Sequence, residues 1–464
     1  MKRTSACLLS VLLGIGMIAG CAQQNTEQSS SAVSSISSAP SGQEQESTSD
    51  ASAAEASDNQ ESQSASTNPD LVSNFVIEVL DKSQKKLGQF QQSGGAVVTD
   101  KDIFYSAAQT DAQNQKVTEY HLYLPDENKP EENKDVLLGS IKDLSYEATY
   151  ARTELGSKEY TLVMTGNLMD SEKDPLWLLE FDLDKHSMQK YQISNNGFAY
   201  TAMAAANGKL LIINHDQELN LTDRLYEFDP ATCGIRQVMS FELNELIGDT
   251  LRQVYSDGSR IYLLRLHFDE ESNVRMFVDT YDMDYKKLDE RDITLLMVKA
   301  NANMLMADEV FNEMKQMVSR FIIFNKDCIY YENFSATHFL GSLTSLELLD
   351  ESSEAVCASF GSGTPFFFNH ELLKTSSNSS EEQSEQEKQE EEESAAEQEK
   401  ELPYYFEWAG DGFSQYPMTF SDSRYYIDSG SRSQNGSLML QTSSFDPERK
   451  ENPLPLQIYY YPAK

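Results

Sequence analysis

The chain has 464 residues, 39% hydrophobic and 24% charged, with a mean hydropathy of −0.52, a balance that excludes a polytopic membrane protein. Acidic side chains outnumber basic ones 75 to 37, giving a net charge of −38. Phosphate contact needs a basic stripe and the sequence has none, so nucleic acid is excluded as a general partner.

Lys2 and Arg3 open the chain, and an apolar stretch follows from Cys7 to Ala19. It is too short to span a bilayer and suits the core of a signal peptide. It ends in Ile18-Ala19-Gly20-Cys21, which resembles the bacterial lipobox. The resemblance implies that residues 1–20 are a signal peptide removed on export. It also implies that Cys21 becomes a lipidated N-terminus carrying diacylglycerol and palmitate. The protein is then expected on the extracytoplasmic face of the cell membrane, touching the membrane through lipid. The alternative is an ordinary secretory signal with a chance cysteine.

Residues 21–69 read as a tether. Positions 22–69 hold 15 Ser, seven carboxylates and no Lys or Arg. So little apolar surface cannot offset the entropy of ordering, which predicts a disordered segment. A flexible chain of that length spans about 40 Å. With Cys7 removed and Cys21 lipidated, Cys233, Cys328 and Cys357 remain. Cys328 and Cys357 could pair if they lie on adjacent strands; otherwise all three are plain thiols.

From about residue 70 to 464 the composition turns to aromatic and β-branched runs separated by turn residues. One hairpin pattern recurs: a strand ending in an apolar residue, an Asp, a polar turn and another strand. Examples are VIEVLDKSQKKLGQF at 76–90, LLEFDLDKHSMQKYQI at 178–193 and RLYEFDPATCGIRQVMSF at 224–241. The turn aspartates are Asp81, Asp126, Asp182, Asp229, Asp282, Asp350 and Asp446, spaced 45, 56, 47, 53, 68 and 96 residues apart. A spacing near 50 residues is that of a four-stranded propeller blade. Asp suits the turn because its carboxylate can cap backbone amides two residues on. Matching strands precede several copies: GKLLIIN at 208–214, SRIYLLRL at 259–266 and DCIYYENF at 327–334. Asp229, Thr232 and Gly234 resemble the D-x-x-T-G turn of propeller repeats, with Cys233 inserted. The expected fold is all-β, a single β-propeller of seven blades, with six or eight compatible. Tandem β-sandwiches are the alternative, but they would not repeat one hairpin seven times.

Two segments depart from the repeat. ADEVFNEMKQMVSRF at 307–321 has Val310, Met314, Met317, Val318 and Phe321 near helical spacing and predicts one amphipathic helix, packed on the propeller or docking a partner. Five methionines between 297 and 317 raise a copper site as the alternative to core packing. The second segment is an acidic low-complexity loop at about 376–401, with eleven Glu and two Lys between 381 and 401. It reads as a solvated insertion between two strands of one blade.

Searches for chemistry return little. His121, His186, His215, His267, His338 and His370 form no local metal motif. His370-Glu371 starts a zinc-protease pattern, but Lys374 stands where the second histidine is required. Asp182/Asp184 and Asp282/Asp284 have the first two acids of a calcium loop without its glycine and distal Glu. No catalytic residue, cofactor site or metal site is therefore assigned, although a triad or carboxylate pair assembled from distant strands would leave no local trace. The expected function is a lipid-anchored module that binds another envelope protein. A glycan- or small-ligand-binding protein is the alternative, and an envelope hydrolase or lyase with a dispersed site is the third reading.

Overall fold

In the computed structural model the chain divides into two units, Met1–Thr67 and Asn68–Lys464. The structure describes residues 75–463 apart from connecting stretches, the longest being 166–174, 195–201, 350–355, 359–365, 370–403 and 445–454. The signal peptide, Cys21, the tether, Asp350, Asp446 and the acidic run itself lie outside the described residues.

The body is a β-propeller of meanders, with two short helices among the described residues. The described chain enters through β1 (Phe75–Leu80) and β2 (Lys86–Gln92). Four meanders then follow one plan. The first is β3–β6 (Val97–Val98, Ile103–Thr110, Lys116–Leu124, Lys134–Lys142), and the second is β7–β10 (Leu144–Leu155, Lys158–Thr165, Leu176–Asp182, Ser187–Ser194). The third is β11–β14 (Ala202–Ala206, Lys209–Asp216, Leu221–Asp229, Gly234–Asn244), and the fourth is β15–β18 (Ile247–Ser256, Ile261–Phe268, Val274–Tyr281, Lys287–Asp292). Next come β19–β21 (Val318–Phe324, Cys328–Asn333, His338–Ser342) and β22–β25 (Val356–Ala358, Phe366–Asn369, Tyr404–Trp408, Phe413–Pro417). The last strands are β26–β28 (Tyr425–Arg432, Leu438–Ser444, Leu456–Tyr461).

Aspartate shapes the turns as expected. Asp81 Oδ1 accepts from the amides of Ser83 and Lys85 at 2.7 and 2.9 Å. Asp229 Oδ1 accepts from Ala231 N at 2.9 Å, and Asp282 Oδ1 from Asp284 N and Lys286 N at 3.0 and 2.9 Å. Each carboxylate replaces water on amides that the tight turn leaves without a ladder partner. In an antiparallel meander the first and third turns emerge at one edge, and Leu183 N of the third turn in β7–β10 donates to Ser157 O of the first.

The inner strands of each meander have two apolar faces, and both are buried against neighbouring sheets. Phe104, Tyr120 and Leu122 of β4 and β5 pack with Val163, Leu179 and Phe181 of β8 and β9. Tyr160, Leu162 and Leu178, on the opposite face, pack with Leu210, Ile212 and Phe228 of the next meander. The series returns to its start: Leu80 of β1 joins Leu438, Leu440 and Tyr459, while Ile77 and Val79 of β1 pack with Ile103 and Tyr105. β1 lies between β2, which it meets antiparallel, and β28, which it meets parallel from Ile77↔Leu456 to Leu80↔Tyr459. The N-terminal strand thus completes the sheet that the C-terminal strands begin.

Three expectations need correction. The helix predicted over 307–321 ends at Lys315, and Val318–Phe324 is a strand. Phe321 and Ile323 keep the two-residue period of a strand, Val318 joins them across a bulge between Val318 and Arg320, and the sheet wins because all three reach the core around Ile329 and Tyr331. Among the described residues there are two helices where one was expected: α1 (Thr294–Ala300) precedes α2 (Ala307–Lys315). The strand expected to lead into Asp350 is replaced by a turn after β21, held by Asp327 Oδ1 accepting from Thr344 N at 2.8 Å. Met297 and Met314 are fully buried in the core beside these helices. Cys328 is a free, buried thiol, so no Cys328–Cys357 bridge forms. β23 and β24 pair directly, Phe366↔Glu407, so the acidic run joins two strands of one sheet.

Substitutions in β1 test its seating. Ile77 is fully buried and Val76 is 44% exposed. Ile77→Ala is expected to cost about 2–5 kcal/mol of stability and Val76→Ala less than about 0.5 kcal/mol, as read by urea unfolding.

Candidate functional site

Most of the residues singled out from sequence have structural partners. Asp182 accepts from Lys185 N at 2.9 Å and Lys185 Nζ at 2.7 Å. With Asp282 it acts as a turn cap. His267 Nδ1 lies 3.0 Å from Asp249 Oδ1, and His338 stacks on Tyr330. His186 occupies a turn at φ +52°. The side chain of His215 and all of His370 lie outside the described residues. Among the described residues no group of three or more His, Cys, Asp or Glu is placed to hold a metal.

The most unusual chemistry sits in the seam between β3–β6 and β7–β10, at the β7–β8 hairpin. The sequence Leu155-Gly156-Ser157-Lys158 turns tightly, with Gly156 at φ +64°, a conformation that glycine adopts without strain. That turn sets the register, and the register puts Glu154 directly opposite Glu159. Directly paired residues share a face of the sheet. Both glutamates are 5% exposed. Arg152 and Thr161 are the next pair on that face. The Arg152 guanidinium lies 4.9 Å over the Phe104 ring of the preceding meander. The Thr161 hydroxyl is buried with no hydrogen-bond partner.

Burial pushes the Glu159 carboxyl up to about 8, and the neighbouring Glu154 raises it further, while Arg152 opposes the rise. Two carboxylates this close and this dry cannot both ionise cheaply, so one holds its proton near neutral pH. Across the same seam, burial raises Asp102 to about 6, against the pull of His186 and Lys101. The arrangement can hold and exchange a proton in the neutral range, which is a property of functional carboxyls. Three hairpins converge here. Gln434 N, in the β26–β27 turn, donates to Glu154 Oε2 at 3.4 Å. Asn435 Nδ2 and Ser437 Oγ of that turn donate to Asp100 O of the β3–β4 turn at 2.9 and 2.7 Å.

Two further polar clusters lie on sheet faces. Tyr105 OH donates to Asp135 Oδ2 at 2.7 Å, and His121 Nδ1 lies 3.0 Å from Asp135 Oδ1. Burial disfavours a charged His121, but Asp135 and Glu119 outweigh it and its pKa is raised. Arg265 is clasped by Asp279 and Asp249, with Glu290 at 3.0 Å. Both clusters join neighbouring strands of one meander and fit a structural role.

The sequence search did not find the Glu154–Glu159 pair. Seventy-five acids hide any two of them. The usable signal was local: a Gly-Ser turn with glutamates placed symmetrically about it.

No family model matches this chain, and no curated protein matches it. Among solved structures it is similar to the acylaminoacyl peptidase of Pyrococcus horikoshii, at 11% identity and a TM-score of 0.42, over 79% of this chain and 50% of that one. It is also similar to an apocarotenoid oxygenase of Synechocystis, at 11% identity and a TM-score of 0.29, over 46% of this chain and 54% of that one. The alignments thus take in about half the length of these solved chains.

The pair makes a pH prediction. A carboxyl that binds its proton more tightly when folded stabilises the fold below its unfolded pKa, and that contribution is lost as pH rises through the folded value. For Glu159 the window runs from about 4.5 to about 8. Glu159→Gln is expected to flatten the fall in Tm between pH 5 and pH 8.5 and to exceed the wild type at the upper end. Parallel Tm–pH curves for the two proteins would contradict the assignment.

Proposed function

We propose that this protein is a lipid-anchored propeller on the extracytoplasmic face of the cell membrane, where it binds another envelope protein. The observation that carries the reading is Cys21 at the end of Ile18-Ala19-Gly20-Cys21, between a short apolar stretch and a Ser-rich tether. The propeller body suits the role, because the first and third turns of each meander present many short, independently variable segments at one edge. Their conformations are held by Asp81, Asp229 and Asp282, so a partner would meet preorganised loops.

A glycan-binding role is the second reading. It is favoured by Tyr416, which is 41% exposed and stacks on Tyr405 with ring centroids 4.9 Å apart. An exposed aromatic face suits the apolar face of a sugar ring.

The test uses the full-length chain, tagged, beside Cys21→Ala. Growth with an alkyne-tagged fatty acid is expected to label the wild type and not the variant. In-cell crosslinking with mass spectrometry is expected to recover one recurrent envelope protein, lost or weakened in the variant. Equal labelling of both chains would remove the lipid anchor. Specific labelling without a partner above background would remove the interaction role and favour the glycan reading.

A further inference from the structure

We propose that His121 is a protonation-dependent clasp on the seam between β3–β6 and the closing sheet: as the imidazolium it bridges Asp135 and Glu119 and holds Tyr105 against Phe90, and as the neutral imidazole it releases Glu119 and loosens that seam. The clasp depends neither on the lipid anchor nor on a partner. His121 Nδ1 lies 3.0 Å from Asp135 Oδ1, and Nε2 lies 3.4 Å from Glu119 Oε2. The first contact is a hydrogen bond. The second is an ion-pair distance at which the buried Nε2 makes no well-formed hydrogen bond. An ionised carboxylate only accepts, and a neutral imidazole carries a single N–H. One ring nitrogen of neutral His121 would therefore turn its lone pair toward a carboxylate. Only the imidazolium offers an N–H to both.

Tyr105 carries the effect to the seam. It is the direct cross-strand partner of His121 and stacks on its ring, with centroids 5.1 Å apart. Its hydroxyl donates to Asp135 Oδ2 at 2.7 Å, so one carboxylate holds both side chains. The other neighbour in the stack is Phe90 of β2, 4.1 Å from the Tyr105 ring. Phe90 and Tyr105 belong to the core that joins β3–β6 to β1 and β28. The titratable and charged groups around His121 are accounted for element by element. On β5 itself are Glu119 and Tyr123, whose hydroxyl accepts from Asn133 Nδ2 at 2.8 Å. β4 supplies Tyr105, kept protonated by burial and by Asp135. β6 supplies Asp135: burial opposes its ionisation, but the hydrogen bonds from His121 and Tyr105 outweigh it and lower its pKa. Lys134 neighbours Asp135 on β6 and alternates to the other face, and Lys142 reaches Gln115 at 3.4 Å. On β2, Lys86 pairs with Glu78 of β1 at 2.7 Å. Lys101 and Asp102, in the β3–β4 turn, interact with each other and with His186 across the other seam. Burial lowers the His121 pKa, and Asp135 and Glu119 more than reverse that.

A histidine held as its cation supports the fold below the ordinary value of 6.5 and loses that support as pH rises through its folded value. Proton NMR of the histidine rings in the full chain tests the charge, with the His121 signal identified by its loss in His121→Gln. That signal is expected to titrate above 6.5, and Glu119→Gln and Asp135→Asn are each expected to move its midpoint down. Hydrogen–deuterium exchange tests the clasp, with rates at each pH divided by the intrinsic amide rate. Between pH 6 and pH 9, wild-type peptides covering 86–92 and 103–123 are expected to lose about threefold protection relative to β16. Either variant is expected to show the lower protection at both pH values, so one misfolding variant does not block the test. A His121 midpoint at or below 6.5, or one that neither variant moves, would overturn the proposal. So would seam protection that follows β16 at every pH.

Discussion

The fold depends on the pairing of β1 with β28. No meander of a propeller can bury both of its apolar faces alone, because each face needs a neighbouring sheet. The series is stable only if the last sheet meets the first. Here Ile77, Val79 and Leu80 of β1 enter two cores at once, one shared with β26–β28 and one with β3–β6. Four residue pairs join β1 to β28 in parallel, and β2 covers the outer edge.

Within that ring, polar groups are placed to hold strand pairs together without opening the core. The segments Leu179-Glu180-Phe181-Asp182 and Tyr226-Glu227-Phe228-Asp229 are equivalent. In both, the Asp caps the turn and the Glu binds a lysine that starts the second strand of its meander, Lys158 and Lys209 respectively. Arg236 is the main partner that holds the Glu227 carboxyl down to about 2, with help from Lys209 and Tyr285. Such a carboxylate supports the fold above its unfolded pKa and loses that support as pH falls. Glu159 has the opposite sign. The same residue type, on the same kind of sheet, is stabilising as an anion beside cations and as an acid beside another glutamate.

What the sequence disclosed follows from the range of each interaction. The turns at Asp126, Asp182, Asp229 and Asp282 were legible because their chemistry lies within four residues. The order of strands within a meander followed from those turns. The closure was not legible, since no local feature of Phe75–Leu80 says that its partner lies near Leu456. α1 escaped notice because seven residues, TLLMVKA, give too few periods to read and its first turn lacks an acidic residue. The Glu154–Glu159 pair needed a register, which sequence supplies only once the Gly156 turn is fixed. The blade count turns on the interval from Asp350 to Asp446, where composition is dominated by the acidic run.

The measurement that bears most directly on this account is native-state hydrogen exchange of the β1 amides in the full chain. The account predicts that Ile77 to Leu80 exchange with β28, in the slowest class and only on global unfolding. Exchange of β1 at the rate of a fraying terminus, with β28 still protected, would contradict the closure on which the rest of the structure depends.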